Sequence, residues 1–169
     1  MSALDNILKS RIRKGIVTVP IDTKEIESVG VELKDLVRKK FGRSFNIREV
    51  DTGSCGACEA EIIAANNPIY DISRFGVNFV ASPRHADALL VTGPVSKNMV
   101  LALKKTFNAM PTPKIIIACG NCAKDGWLFK GSYYIEGGVA STIPVDLYLP
   151  GCPPRPIEIV KALVGLLKK

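Results

Sequence analysis

The sequence predicts an α/β layered fold with a mostly parallel sheet, and three observations carry that expectation. From Phe45 onward, short apolar runs alternate with helical segments, the order that builds β-α-β units. The runs ALLV (88–91) and IIIA (115–118) are apolar on both faces, as strands covered by helices on both sides are. Gly, Pro or Ser ends each run.

Taken in order, residues 1–30 are weakly patterned, with VTVPID (17–22) reading as a short extended piece around Pro20. VELKDLVRKKFGRS (31–44) carries Leu33, Leu36, Val37 and Phe41 at helical spacing, and Gly42 suits a C-terminal cap. This predicts an amphipathic arm helix whose basic face holds Lys34, Arg38, Lys39 and Lys40. Residues 1–43 are expected to form an N-terminal arm and amphipathic helix, which either docks on a partner or membrane surface or packs on its own domain with its charges in water, ahead of an α/β domain over 44–169. The strands expected in that domain are FNIREV (45–50), GVNFVAS (76–82), DALLVTG (87–93), KIIIAC (114–119) and TIPVDLYLPG (142–151). The helices expected between them are Glu59–Ala65, Ser96–Met110 and Pro156–Leu167. Ser96 reads as an N-cap, and Pro111 closes the helix that follows it.

At 169 residues, with 47% hydrophobic and 23% charged side chains, the chain has the composition of one globular domain. No apolar run approaches the roughly 20 residues of a membrane-spanning helix. The first residues, MSALDNILKSRIRKG, show neither the apolar core nor the cleavage site of a secretory signal. A reducing compartment is expected, where cysteines act as metal ligands or redox thiols and not as disulfides. The formal charge of +7 is spread: eleven Lys/Arg face seven Asp/Glu in residues 1–50, and twelve face nine thereafter. No basic motif interleaved with aromatics accompanies it, which argues against nucleic acid and for a solvated face or an acidic partner.

Five cysteines carry the chemistry. Cys55 and Cys58 follow the first expected strand, Cys119 and Cys122 end or follow KIIIA, and Cys152 follows DLYLPG. Ligands of open α/β sheets sit beyond the carboxyl ends of the strands, so three strand ends are expected to converge there. Gly53, Gly56, Gly120 and Gly151 let backbone N–H groups approach a bound group closely. Zinc ribbons separate their CxxC pairs by about 15–20 residues, whereas 60 residues lie between Cys58 and Cys119. Zinc would also leave Cys152 idle. A redox dithiol explains only one pair. An iron–sulfur cluster takes four dispersed thiolates and tolerates Cys-Pro. It accounts for the cysteines best, but spacing alone leaves open which four of the five ligate.

GSCGACEAE (53–61), YDISRFG (70–76), SPRHADALLVTGP (82–94), GNCAKDG (120–126) and IPVDLYLPGCPPRP (143–156), in this order, resemble the small subunit shared by membrane-bound nickel–iron hydrogenases and respiratory complex I. The complex I 20 kDa iron–sulfur subunits carry adjacent cysteines in the first motif. The Cys55-x-x-Cys58 spacing is similar to that of the energy-converting (group 4) hydrogenases, including those of formate hydrogenlyase. The resemblance implies a flavodoxin-like fold holding one proximal 4Fe–4S cluster on Cys55, Cys58, Cys122 and Cys152, and makes Cys119 a spectator. It implies an electron relay without catalysis of its own, a NiFe-bearing large subunit and a ferredoxin-like iron–sulfur donor. Membrane subunits would hold the chain peripherally on the cytoplasmic face. Glu61, one helical turn after Cys58, is the expected proton or interface residue. Arg84 is the candidate cation beside the cluster, and His85 a candidate redox-linked titrating group. Trp127 and Phe129 are the candidate shields. The alternatives are a nickel-free complex I-like oxidoreductase subunit and a zinc-stapled binding domain.

Overall fold

The computed structural model describes residues 23–168; the VTVPID segment lies outside them. The elements run α1 (Thr23–Phe41), β1 (Phe45–Asp51), α2 (Ala57–Ala64), β2 (Val77–Phe79), β3 (Ala88–Thr92) and β4 (Val95–Ser96). They continue through α3 (Val100–Ala109), β5 (Ile115–Cys119), α4 (Asn121–Asp125), β6 (Ile135–Gly137), β7 (Leu147–Leu149) and α5 (Pro156–Lys168). The main sheet has the order β2-β1-β3-β5-β7, and every neighbouring pair is parallel. Renumbered along the sheet this is the 2-1-3-4-5 order of flavodoxin-like folds, with its switch point between β1 and β3.

The strand chemistry explains the layering. β3 is buried along its whole length and lies at the centre of the sheet. Phe45, Ile47, Leu90, Ile117 and Leu149 face one side, under α1, α2 and α5. Leu89, Val91, Ile116 and Ala118 face the other, against Leu103 of α3 and Val139 and Ile143. The strand starts are fixed by carboxylates: Asp87 accepts from the Asn46 N–H at 2.9 Å, and Asp146 accepts from the Ile116 N–H at 2.8 Å.

Three expectations change. The helix over 31–41 is amphipathic, but it begins by Thr23 and is no free arm. Leu33 and Val37 belong to the main core, and α1 lies parallel along α5, tied by Glu25–Lys161 and by Glu32–Lys168 at 2.6 Å. The apolar stripe Ile26, Leu33, Val37 covers the sheet because that removes its apolar surface from water; the 43/44 division separates a helix from a strand, not two cores. Ser96 caps no helix. It sits in a two-stranded antiparallel ribbon of β4 and β6, its N–H donating to Thr52 O at 2.9 Å, so α3 starts only at Val100. The last strand is shorter than expected, Leu147–Leu149, with the Asp146 side chain just before it accepting from the Ile116 N–H of β5.

Gly30 shows how closely α1 is seated. A Cβ there would fall 2.2 Å from the Phe75 ring. Gly30→Ala would gain up to ~1 kcal/mol of helix propensity, but displacing a buried ring costs about 1–3 kcal/mol. Denaturant unfolding should therefore show a less stable Gly30→Ala protein. A more stable one would mean that α1 does not pack on the Phe75 turn.

Candidate metal centre

At the carboxyl edge of the sheet the strands end level: Asp51 pairs with Thr92, Thr92 with Cys119, and Cys119 with Leu149. The loops leaving that edge are tied to one another. Buried Thr52 donates its hydroxyl to Thr92 O at 2.7 Å, while Asp51 accepts from the Gly53 and Ser54 N–H groups at 2.8 and 2.7 Å. Gly93, at φ 72°, passes so close that a Cβ would meet Ser54 N at 2.4 Å. Asn121 joins the other two loops: its N–H donates to Gly151 O at 2.8 Å, and its side-chain oxygen accepts from Gly151 N–H at 3.1 Å.

These ties leave a small recess lined by Cys55, Cys58, Cys122 and Cys152, with Ser54, Gly93, Gly151 and Pro153 between them. Cys58 lies in the first turn of α2 and Cys122 in the first turn of α4. The N-terminal dipole of α2 favours a thiolate at Cys58. Burial, and then the neighbouring Cys152, Cys55 and Cys58 sulfurs, push the Cys122 thiol up. Among the described residues no three His, Cys, Asp or Glu side chains stand as a ready-made single-ion site.

Cys119 does not line the recess. It is fully buried at the end of β5, in the core cluster against which Cys58 packs. Glu61 lies close enough for its charge to act on Cys58. Arg84 and His85 do not come to the site. They occupy the turn before β3, at the amino edge of the sheet beside Arg43 and Asn46. A five-residue strand spans about 16 Å, which separates them from the cysteines. The motif that contains them, SPRHADALLVTGP, reaches the site only through Gly93. Trp127, Leu128 and Phe129 follow α4 directly and are 48%, 80% and 44% exposed, so they do not close over the recess within this chain.

Two acidic residues had no signal beyond position. Glu59, next to Cys58, has both carboxylate oxygens buried without a hydrogen-bond partner. Glu49 lies on β1 on the same sheet face as Ile47, near enough for its charge and that of Glu59 to interact.

The fold and its thiol-lined edge define a class: a flavodoxin-like domain that presents cysteines at the carboxyl ends of parallel strands. The profile of the family described as "NADH ubiquinone oxidoreductase, 20 Kd subunit" matches residues 55–166, and the chain belongs to that family. It is similar to the probable membrane-bound hydrogenase subunit mbhJ of Pyrococcus furiosus, at 47% identity over 78% of each chain. It is also similar to formate hydrogenlyase subunit 7 of Escherichia coli, at 40% identity over 98% of this chain and 65% of the other. Among solved structures, a chain of the archaeal membrane-bound sulfane sulfur reductase superposes with a TM-score of 0.66. That match is 30% identical and covers 81% of this chain and 74% of the other.

Burial, then the charges of Glu59 and Asp51, hold the Glu49 carboxyl above its ordinary value of 4.5, against the pull of Arg48 and Thr92. The folded protein thus binds this proton more tightly than the unfolded chain, and stability falls as pH rises from about 4.5 through the raised value. Glu49→Gln removes that loss. Thermal unfolding should show the variant more stable than the wild type at pH 7 and level with it near pH 4. Parallel curves at both pH values would contradict the assignment.

Proposed function

We propose that this chain is the electron-relay subunit of a membrane-bound, energy-converting NiFe hydrogenase complex, and that Cys55, Cys58, Cys122 and Cys152 hold one 4Fe–4S cluster. The observation that carries the reading is the recess itself: four thiols from three loops around one space, in a chain of this family. A cluster of four irons and four sulfides suits four thiolates that come from dispersed loops. Held there, it would supply one-electron transfer.

The chain's own residues bind and insulate. The four thiolates anchor the irons. With one remaining cysteine, buried Cys119, the sequence has no thiol set for a second cluster. Electrons would arrive from a ferredoxin-like iron–sulfur subunit, and hydrogen chemistry would belong to the nickel-bearing large subunit. Glu61, half-buried beside Cys58, is placed to move a proton or to meet that partner. Exposed Trp127, Leu128 and Phe129 form the apolar surface that such a partner would cover. No helix among the described residues is long and apolar enough to cross a membrane. Attachment to the cytoplasmic face would be through membrane subunits of the complex.

A second reading has its own support. The family is described by an NADH ubiquinone oxidoreductase, and the solved relative belongs to a sulfane sulfur reductase, so a nickel-free oxidoreductase complex is the alternative.

The purified complex should contain nickel and, for this chain, about four irons and four acid-labile sulfides. Serine at position 55, 58, 122 or 152 should lower the chain's iron. The chain alone should neither evolve nor take up hydrogen with artificial dyes, and activity should return with the matured large subunit. Stoichiometric zinc without sulfide would refute the cluster. A nickel-free complex with the cluster intact would select the second reading.

A further inference from the structure

Cys119 ends β5 with no exposed surface, and the next residue turns sharply away at φ 90° toward Cys122. Cys58 reaches back from the first turn of α2 over that bend. A Cβ on Gly120 would come within 2.8 Å of the Cys58 sulfur, so this sulfur lies directly against the backbone that follows Cys119. Cys58 packs on the same core cluster that contains Cys119. The two side chains are thus neighbours in the core, close enough for their thiols to interact.

Metal chemistry fixes the direction of the bond. A cysteine that binds iron has given up its proton. Cys58 is then an acceptor only, and the single S–H of the pair belongs to Cys119. We propose that the Cys119 thiol donates a hydrogen bond to the Cys58 sulfur and thereby raises the reduction potential of the iron–sulfur group bound there. The inference rests on the proposed cluster at Cys55, Cys58, Cys122 and Cys152. It makes Cys119 a positioning residue that acts through Cys58, where the sequence offered only a spectator.

The electrostatic argument gives the sign. An added electron increases negative charge on the ligand sulfurs. A donor aimed at one of them stabilises the reduced form more than the oxidised form. Removing the donor should lower the potential. The size follows from its environment: Cys119 is inaccessible to water, so no solvent molecule takes its place when the S–H is lost.

The test uses the holo complex carrying Cys119→Ser, Cys119→Ala or Cys119→Val. Iron and acid-labile sulfide are measured first, followed by EPR-monitored potentiometry of the signal that Cys122→Ser abolishes. Ser keeps a donor, Ala removes it and leaves a small void, and Val removes it while filling the space. Wild-type iron and sulfide should persist in all three. The Ala and Val proteins should show roughly a tenfold fall in the reduced fraction at fixed potential, about 59 mV for one electron, and Ser should recover more than half of it. A potential unchanged in all three would overturn the proposal. An equal shift in all three, Ser included, would assign the effect to packing and overturn it as well. Loss of iron from Cys119→Ser with retention in Cys122→Ser would make Cys119 a ligand, which also overturns it. A wild-type complex without iron and sulfide in this chain would instead remove the cluster reading on which the proposal rests.

Discussion

The parallel register of β1, β3, β5 and β7 holds the rest of the structure in place. Because Asp51, Thr92, Cys119 and Leu149 are paired across the sheet, the chain leaves every strand at the same height. Loops that begin level can meet, and the Thr52 hydroxyl and the Asn121 side chain bind them together before any ligand is considered. The register also separates the cysteines by role. Side chains alternate along a strand, so Cys119 shares the core-facing side with Ile117. Cys122 lies beyond the strand end and is free to turn into the recess.

The two edges of the sheet are chemically different, and basic residues cluster at one of them. α1 and α5 both end at the amino edge, with Arg38, Lys39 and Lys40 in the last turn of one and Lys168 in the last turn of the other. Cations there complement the negative ends of the helix dipoles. Arg43, Arg74 and Arg84 enlarge the same basic edge, with Arg43 paired to Asp87 and Arg74 to Glu27. The carboxyl edge instead gathers thiols, helix N-termini and the acids Glu49, Glu59 and Glu61. Among the described residues, a basic cluster thus marks the edge that carries no cysteine.

Exposure divides the cysteine edge again. Cys58 and Cys122 are half-buried in helical first turns, whereas Cys55 and Cys152 are exposed. The strip from Trp127 to Tyr134 adds large uncovered side chains next to the Cys122 helix. Apolar surface of this kind beside an oxidisable site is what a subunit interface covers. The membership of its relatives in multi-subunit membrane complexes agrees with that arrangement.

The sequence by itself determined the layered α/β class, because runs such as ALLV and IIIA are apolar on both faces and only a strand covered on both sides uses them. It also determined the strand-end positions of the cysteines and, through motif order, the family. It did not determine where α1 goes: an amphipathic stripe shows that a helix covers something, and only Gly30 against Phe75 shows that it covers this sheet. Ser96 looked like a helix cap because local chemistry favours one there, but pairing with β6 took its backbone first. Arg84 and His85 were candidates for the surroundings of the cysteines, yet the length of β3 carries them to the opposite edge. The contact between Cys119 and Cys58 joins residues far apart in the chain, and no spacing rule reaches across them. Sequence patterns report period and local preference; which side chains meet is decided by how the strands pair and the helices pack on them.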